Sequence, residues 1–239
     1  WSAKEGKFIP IRDLPVYKRQ YFRENVLGAN APDAKTAGKT LFEDAAIRLW
    51  TLDDEVVIAS IKSKMHTISA EVTSGLAKGL EIAEAGYKGL VIWSYDGPFS
   101  AGADLQSMMP AFMAGGGKAI APFEKQLQDF MLSLRYSNVP TVAAMHGLAL
   151  GGGCELAVHC AKRVAAMETY VGLVEVGVGL IPGGGGLAYQ ARRAAELLET
   201  SKGISGQTPV DLMAYIKEFF QASAMAKVAT SGIEARKFG

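Results

Sequence analysis

Two glutamates occupy surroundings where carboxylates seldom occur without a task. Glu155 directly follows Gly151-Gly152-Gly153-Cys154, and Glu175 sits in Leu173-Val174-Glu175-Val176-Gly177. Removing a carboxylate from water is costly, so such placement points either to a local structural role or to proton transfer. The structural reading of Glu155 is a carboxylate at a helix N-terminus; that of Glu175 is a surface residue at a strand end. The chemical reading is general acid–base work by the two together. A second element is the glycine-centred loop Phe99-Ser100-Ala101-Gly102-Ala103-Asp104, between an apolar run and a helix start. Such a loop can turn one backbone N–H outward, and the Gly151 to Gly153 turn can supply another. Two converging amides make an oxyanion hole. The structural reading of this loop is an ordinary strand-to-helix connection with Asp104 as N-cap.

Other chemistries fail on spacing. A phosphate-binding P-loop around Gly117-Lys118 would need Gly where Phe112 stands and a hydroxyl where Ala119 stands. Gly177 and Gly179 begin a G-x-G-x-x-G pattern that ends on Pro182, so no complete dinucleotide fingerprint is present. There is no G-x-S-x-G elbow, and His66, His146 and His159 lack a Ser or Cys partner in a known motif, which favours structural roles for all three. Cys154 and Cys160, even with His159 beside them, match no zinc spacing and cannot build a disulfide framework; reduced buried thiols are expected.

These residues need elements to hold them. Ala46 to Trp50 and Val56 to Ile61 read as two strands around the turn Leu52 to Glu55. Ser69 is an N-cap candidate for a helix whose apolar positions Val72, Leu76, Leu80 and Ala83 recur until Gly86, and Gly89 to Trp93 then reads as a buried strand. A helical pattern from Leu105 to Tyr136 is interrupted at Gly115-Gly116-Gly117, with an apolar stripe in its second half. Pro140 to His146 is another short strand, leading into the glycine turn and a helix over Cys154 to Cys160. Val164 to Met167 resumes a strand, and Pro182 with Gly183 to Gly186 precedes a helix over Leu187 to Leu198. Residues 1 to about 40 mix charges, Pro10, Pro15 and Pro32 with a Gly/Ala/Lys stretch and read as a tail or interdomain linker.

With 239 residues, 49% of them hydrophobic, the chain has material for a substantial core, which excludes disorder and fibrous architectures. A formal charge of +1 leaves no electrostatic footprint for nucleic acid or an anionic membrane surface. The nearly uncharged stretch from Tyr170 to Tyr189 is centred on Glu175 and broken by Pro182 and glycines, so no membrane span is expected. Of 27 glycines, eleven fall between Gly147 and Gly186, where close backbone approach is therefore expected. A start at Trp1 and an end at Gly239 read as a fragment of something longer, lying in the cytoplasm.

The Phe99 to Leu105 loop, the run Pro140 to Ala144 continuing through Gly147 to Ala157, and the run Glu175 to Gly186 together resemble the crotonase (enoyl-CoA hydratase/isomerase) superfamily, over roughly Ala46 to Leu198. The likeness is greatest to the hydratase module of bacterial bifunctional 3-hydroxyacyl-CoA dehydrogenase/enoyl-CoA hydratases. It implies an α/β fold, a crotonase-like spiral of ββα units over residues 41–239, C-terminally incomplete, with residues 1–40 as a linker or the remnant of a preceding dehydrogenase domain. It implies hydration of trans-2-enoyl-CoA in fatty acid β-oxidation, with Ala103 and Gly152 as the oxyanion hole. Glu155 would orient and deprotonate water, and Glu175 would deliver the proton and hold it at rest, with sharing of the two roles as the alternative. Lys64, Met65, His66, Ala101, Gly102, Asp104, Gly151 and Pro182 would border the acyl-CoA. No metal and no cofactor are implied for this chain; CoA enters as a thioester substrate, and NAD belongs to the dehydrogenase part of the parent. Stand-alone members build trimers, so a homo-oligomer is compatible with the resemblance. The alternatives are a Δ3-Δ2-enoyl-CoA isomerase, which needs one carboxylate, and a non-catalytic acyl-CoA-binding module.

Overall fold

The computed structural model describes residues 1–10, 15, 37–205 and 211–239. The chain falls into two units, Trp1–Lys39 and Thr40–Gly239. In the first, Ser2 and Lys7 form an antiparallel bridge, and the rings of Trp1 and Phe8 meet edge-on at 5.5 Å. Most of the expected linker, including Pro32, lies outside the described residues.

Among the described residues eight strands follow in chain order: β1 (Lys39–Glu43), β2 (Ile47–Thr51), β3 (Val57–Ile61), β4 (Leu90–Ile92), β5 (Thr141–Met145), β6 (Leu148–Leu150), β7 (Lys162–Ala165) and β8 (Tyr170–Gly172). Between and after them run α1 (Ala70–Gly86), α2 (Leu105–Arg135), α3 (Gly152–His159), α4 (Gly186–Ser205), α5 (Leu212–Ala224) and α6 (Gly232–Ala235). The main sheet has the order β1-β2-β3-β4-β5-β7, and β6 pairs with β8 in a second sheet. The expected hairpin is β2 against β3, antiparallel, with Ile47 opposite Ile61 and Trp50 opposite Ile58. From β3 onward the pairing is parallel, which explains the continuous apolar runs in β4 and β5.

The helices begin where their caps say they should. Ser69 accepts from the amide of Val72 at the start of α1, and Asp104 accepts from Ser107 at the start of α2. In α1 the buried face is Val72, Leu76, Leu80 and Ala83, with Gly75 and Gly79 letting the helix lie directly on Ile47 and Leu49 of β2. The glycine interruption in α2 is a kink: Gly116 has φ 60° and ψ −153°. Before it Met109, Phe112 and Met113 are exposed; after it Leu127, Phe130, Met131 and Leu134 enter the core. The apolar stripe therefore does core work only in the second half.

Several sequence expectations shift, among them the helix expected over Cys154 to Cys160, which is α3 and starts two residues earlier. The strand expected over Val164 to Met167 is β7, two residues earlier, because hydrogen bonding to β5 pairs Val142 with Lys162 and Ala143 with Arg163. As an edge strand β7 is exposed throughout, so its charged residues suit it. Glu175 opens a 3-10 turn, Glu175–Val178, rather than ending a strand. The helix expected over Leu187 to Leu198 is α4, longer at both ends.

Candidate active site

The loop from Phe99 to Asp104 is stitched to the chain on both sides by its backbone. Ala101 donates to Met65 O at 3.1 Å, Ile68 donates to Gly102 O at 2.8 Å, and Asp104 donates to Ile68 O at 2.9 Å. On the other side Phe99 donates to His146 O, Ser100 donates to Leu148 O, and Leu150 donates to Ser100 O. Gly102 has φ +107°, and a Cβ there would stand 2.9 Å from Leu150 O, so only glycine makes this turn without strain. The peptide that follows ends in the amide of Ala103. A Cβ on Gly152 would lie 3.3 Å from that amide nitrogen, which places the first residue of α3 against it. Neither the Ala103 nor the Gly152 N–H has an acceptor among the described residues. Two unpaired donors thus sit side by side, one of them at a helix N-terminus.

Ser100 fixes the loop from inside. It is fully buried, donates its hydroxyl to His66 O at 2.7 Å and accepts from the Gly102 amide at 3.1 Å. Removing a hydroxyl that serves two buried backbone groups leaves both unpaired. Ser100→Ala is therefore expected to lower unfolding free energy by about 1–3 kcal/mol; a denaturant midpoint equal to that of the parent would show that the loop is held without it.

Lys64–His66 is a 3-10 turn with Met65 at φ 56° and His66 at φ 50°. The side chains of Lys64 and Met65 are exposed, whereas the His66 ring is buried, with Nδ1 hydrogen-bonded to Pro98 O and Nε2 3.5 Å from Asp96 Oδ1. Met65 and His66 thus reach the candidate site through their main-chain oxygens. Asp104 is engaged as the cap of α2, and Pro182 is buried just before the glycine strap Gly183 to Gly186.

The two carboxyls are brought into one field. Glu155, in the first turn of α3, is 2% exposed, and its Oε1 accepts from the Gly186 amide at 2.8 Å. Burial pushes its proton affinity up to about 7; the Gly186 amide opposes the shift and the Glu175 charge adds to it. Glu175 is also raised, chiefly by burial, with the amides of Glu175 and Val174 opposing. Those amides form no hydrogen bond of ordinary geometry with it, because both Glu175 oxygens are buried without a partner among the described residues. Gly151, at φ +52°, separates the two: its oxygen accepts from the Glu155 amide, and a Cβ on it would stand 3.3 Å from Glu175 Oε1. The sequence reading gives the resting proton to Glu175 because a helix N-terminus favours the Glu155 anion; burial strengthens the hold of both carboxyls on a proton.

The cysteines and His159 beside the pair add no charge to it. Burial pushes the Cys154 and Cys160 thiols up to about 12, and neither cysteine is in a disulfide. Burial lowers the proton affinity of His159, whose Nδ1 lies 2.7 Å from the main-chain oxygen of Glu155. Among the described residues no group of three or more side chains is arranged to hold a metal ion, and no helix is long and apolar enough to cross a membrane. One carboxyl escapes the sequence reading, that of Glu124 on α2, half-buried, with its Oε2 enclosed and unpartnered. Its signal in the sequence is its position between Phe123 and Leu127 on the apolar stripe.

Known proteins resemble the chain in sequence and in fold. Residues 55–207 match the family described as enoyl-CoA hydratase/isomerase. The chain is 35% identical over 215 residues to a protein of Bacillus subtilis strain 168 described as "Probable 3-hydroxyacyl-CoA dehydrogenase", covering 90% of this chain and 26% of that protein. It is 38% identical over 120 residues to the fatty acid oxidation complex subunit alpha of Colwellia psychrerythraea, covering 48% of this chain and 16% of that one. The chain thus spans about a quarter or less of the length of these relatives. A solved enoyl-CoA hydratase from Polaromonas sp. JS666 superposes with a TM-score of 0.65 at 23% identity, covering 81% of this chain and 68% of that one, which establishes the shared fold. With its α/β architecture, its glycine-framed amides and the match over residues 55–207, the chain belongs to the enoyl-CoA hydratase/isomerase, or crotonase, family.

Proposed function

We propose that the chain adds water to trans-2-enoyl-CoA thioesters. The observation that carries this reading is the pairing of two unpartnered amides, Ala103 and Gly152, with two buried carboxyls, Glu155 and Glu175, across Gly151. The thioester oxygen accepts from both amides, and charge develops on it as the reaction proceeds. A water held by the carboxyls attacks C3 through its oxygen. The C2–C3 electron pair moves toward the carbonyl, giving an enolate held by the two N–H groups. One carboxylate takes the water's proton and a protonated carboxyl gives one to C2, so the sum adds H and OH and leaves the pair with one proton, now on the other member. The proton belongs to the pair as a unit, and the two roles are shared between its members. No cofactor enters these steps.

The names of the relatives support a wider proposal. The parent protein works in fatty acid β-oxidation and couples this module to a 3-hydroxyacyl-CoA dehydrogenase; we further propose that it is cytoplasmic and that NAD binds outside this chain. Lys64, Met65, His66, Ala101, Gly102, Asp104, Gly151 and Pro182 border the acyl-CoA, and assembly is as a homo-oligomer.

The test is an assay of crotonyl-CoA hydration, followed by loss of the conjugated enoyl absorbance, beside an assay of double-bond migration in a trans-3-enoyl-CoA. Hydration is the expected result. Migration without hydration would identify an isomerase, and binding without turnover would leave an acyl-CoA-binding module.

A further inference from the structure

Four buried side-chain oxygens lack a hydrogen-bond partner among the described residues, and three of them belong to Glu124 and Glu175. Glu124 is the less expected of the two, since it comes from α2, an element that supplies no residue to the pair or the amides. Its place is defined by the glycine strap. A Cβ on Gly183 would stand 2.9 Å from Glu124 Oε2, and a Cβ on Gly184 would stand 2.5 Å from Glu155 Oε2 and 3.2 Å from Leu127 Cδ2. Two carboxyls from different helices therefore meet consecutive residues of one strand of chain. That strand is held from both ends: Gln128, one turn after Glu124, donates Nε2 to Gly183 O at 2.7 Å, and Gly186 donates its amide to Glu155 at 2.8 Å. The distance between Glu124 and Glu155 is thus fixed by hydrogen bonds at either side of the strap.

We propose that Glu124 is a positioning residue of the hydration site, whose negative charge, set beside the strap by Gln128, keeps one proton on the Glu155–Glu175 pair. This rests on the hydratase reading above. A carboxylate that touches no reacting atom acts through the others by repulsion, which is strong where water is excluded. Glu124 raises the proton affinity of both Glu155 and Glu175, as its charge requires. The other titratable neighbours do not replace it. Cys154 and His159, on the same helix as Glu155, are neutral near pH 7; Arg135 of α2 and Arg192 of α4 act on His159, and Arg163 of β7 acts on Cys154. Glu124 is itself raised by burial, so its influence fades as pH falls through its own titration.

The experiment measures two things in the full-length protein: the titration of the glutamate carboxyls by carbon-13 NMR, and the pH dependence of kcat and KM for crotonyl-CoA. The forms compared are the parent, Glu124→Gln, Glu124→Ser and Glu124→Asp. Asp129→Asn, at an exposed residue paired with Lys125 on the same helix, is the control. Loss of the negative charge is expected to let the proton of the pair leave at a pH lower by about one unit. The alkaline limb of kcat should move down with it while KM stays near the parent value. Both neutral variants should show this shift, Glu124→Asp should recover part of it, and Asp129→Asn should follow the parent. Coincidence of the Glu124→Gln and Glu124→Ser titrations with that of the parent overturns the proposal, even if all forms hydrate crotonyl-CoA. A shifted NMR titration in protein that hydrates nothing keeps the charge coupling and overturns the hydratase reading.

Discussion

Glu155→Gln and Glu175→Gln are each expected to lower the rate of crotonyl-CoA hydration by a factor of about a hundred or more, the size typical of losing a general acid or base. An amide of the same shape keeps the packing and can still accept from the Gly186 amide at 2.8 Å, but it cannot take or hold the proton. The double variant should be scarcely slower than either single one, because both groups act on one water and one transition state. The pH dependence of stability gives an independent check. Burial holds the Glu155 proton to about 7 in the folded chain against 4.5 for the free group. Between these values the unfolded chain has released a proton that the folded chain keeps. Stability associated with Glu155 is therefore fully present below about 4.5, falls as pH rises, and is lost above about 7, at a cost on the order of 3 kcal/mol. Glu155→Gln should remove that decline, so at pH 8 the variant should unfold at higher denaturant than the parent. Near-normal turnover in either single variant would refute the paired acid–base mechanism.

Gly152→Pro should reduce turnover by about a hundredfold to a thousandfold, the range for loss of one oxyanion donor, while weakening acyl-CoA binding far less. The substitution deletes one of the two unpaired N–H groups. The first position of a helix accepts proline well, so α3 itself should persist. The neighbouring amide of Ala103 lies close enough to constrain the ring, with 3.3 Å between its nitrogen and the position of a Cβ. Kinetics should be paired with circular dichroism and with titration by a non-reacting acyl-CoA. Equal losses in turnover and affinity, with the helices intact, would argue that the amide binds the ground state as strongly as the transition state.

Much of this site was legible because its signals are local. Ser69 and Asp104 announce helix starts with side chains that do cap them, and the three consecutive glycines of α2 do mark a kink at Gly116. Glu155 and Glu175 stand out as charges in apolar company, and the structure buries Glu155 and encloses both carboxyl oxygens of the half-buried Glu175. What escaped depends on partners distant in the chain. β6 and β8 are three residues each, too short to show an alternation, and exist because they pair with one another. The position of β7 follows from register with β5, which no local pattern encodes. Glu124 looks like a polar residue on the flank of an amphipathic helix until the Gly183 strap crosses it. The hold of each carboxyl on a proton is hard to read from sequence for a related reason: the dipole of a helix can be inferred from nearby residues, whereas depth of burial is a property of everything packed around.

Met65 and His66 meet the loop that bears the Ala103 amide with main-chain atoms, and the loop's own links to Met65, Ile68, Leu148 and Leu150 are main-chain as well. A contact made by a peptide group carries no signature in the alphabet of side chains, so the contact itself does not dictate which residue supplies it. What cannot drift is the set of places where a single added carbon would collide, such as Gly102 against Leu150 or Gly184 against Glu155. Heredity here is written in omissions, and remote kin of this chain would be better sought by the spacing of their obligatory glycines than by any resemblance in what lies between.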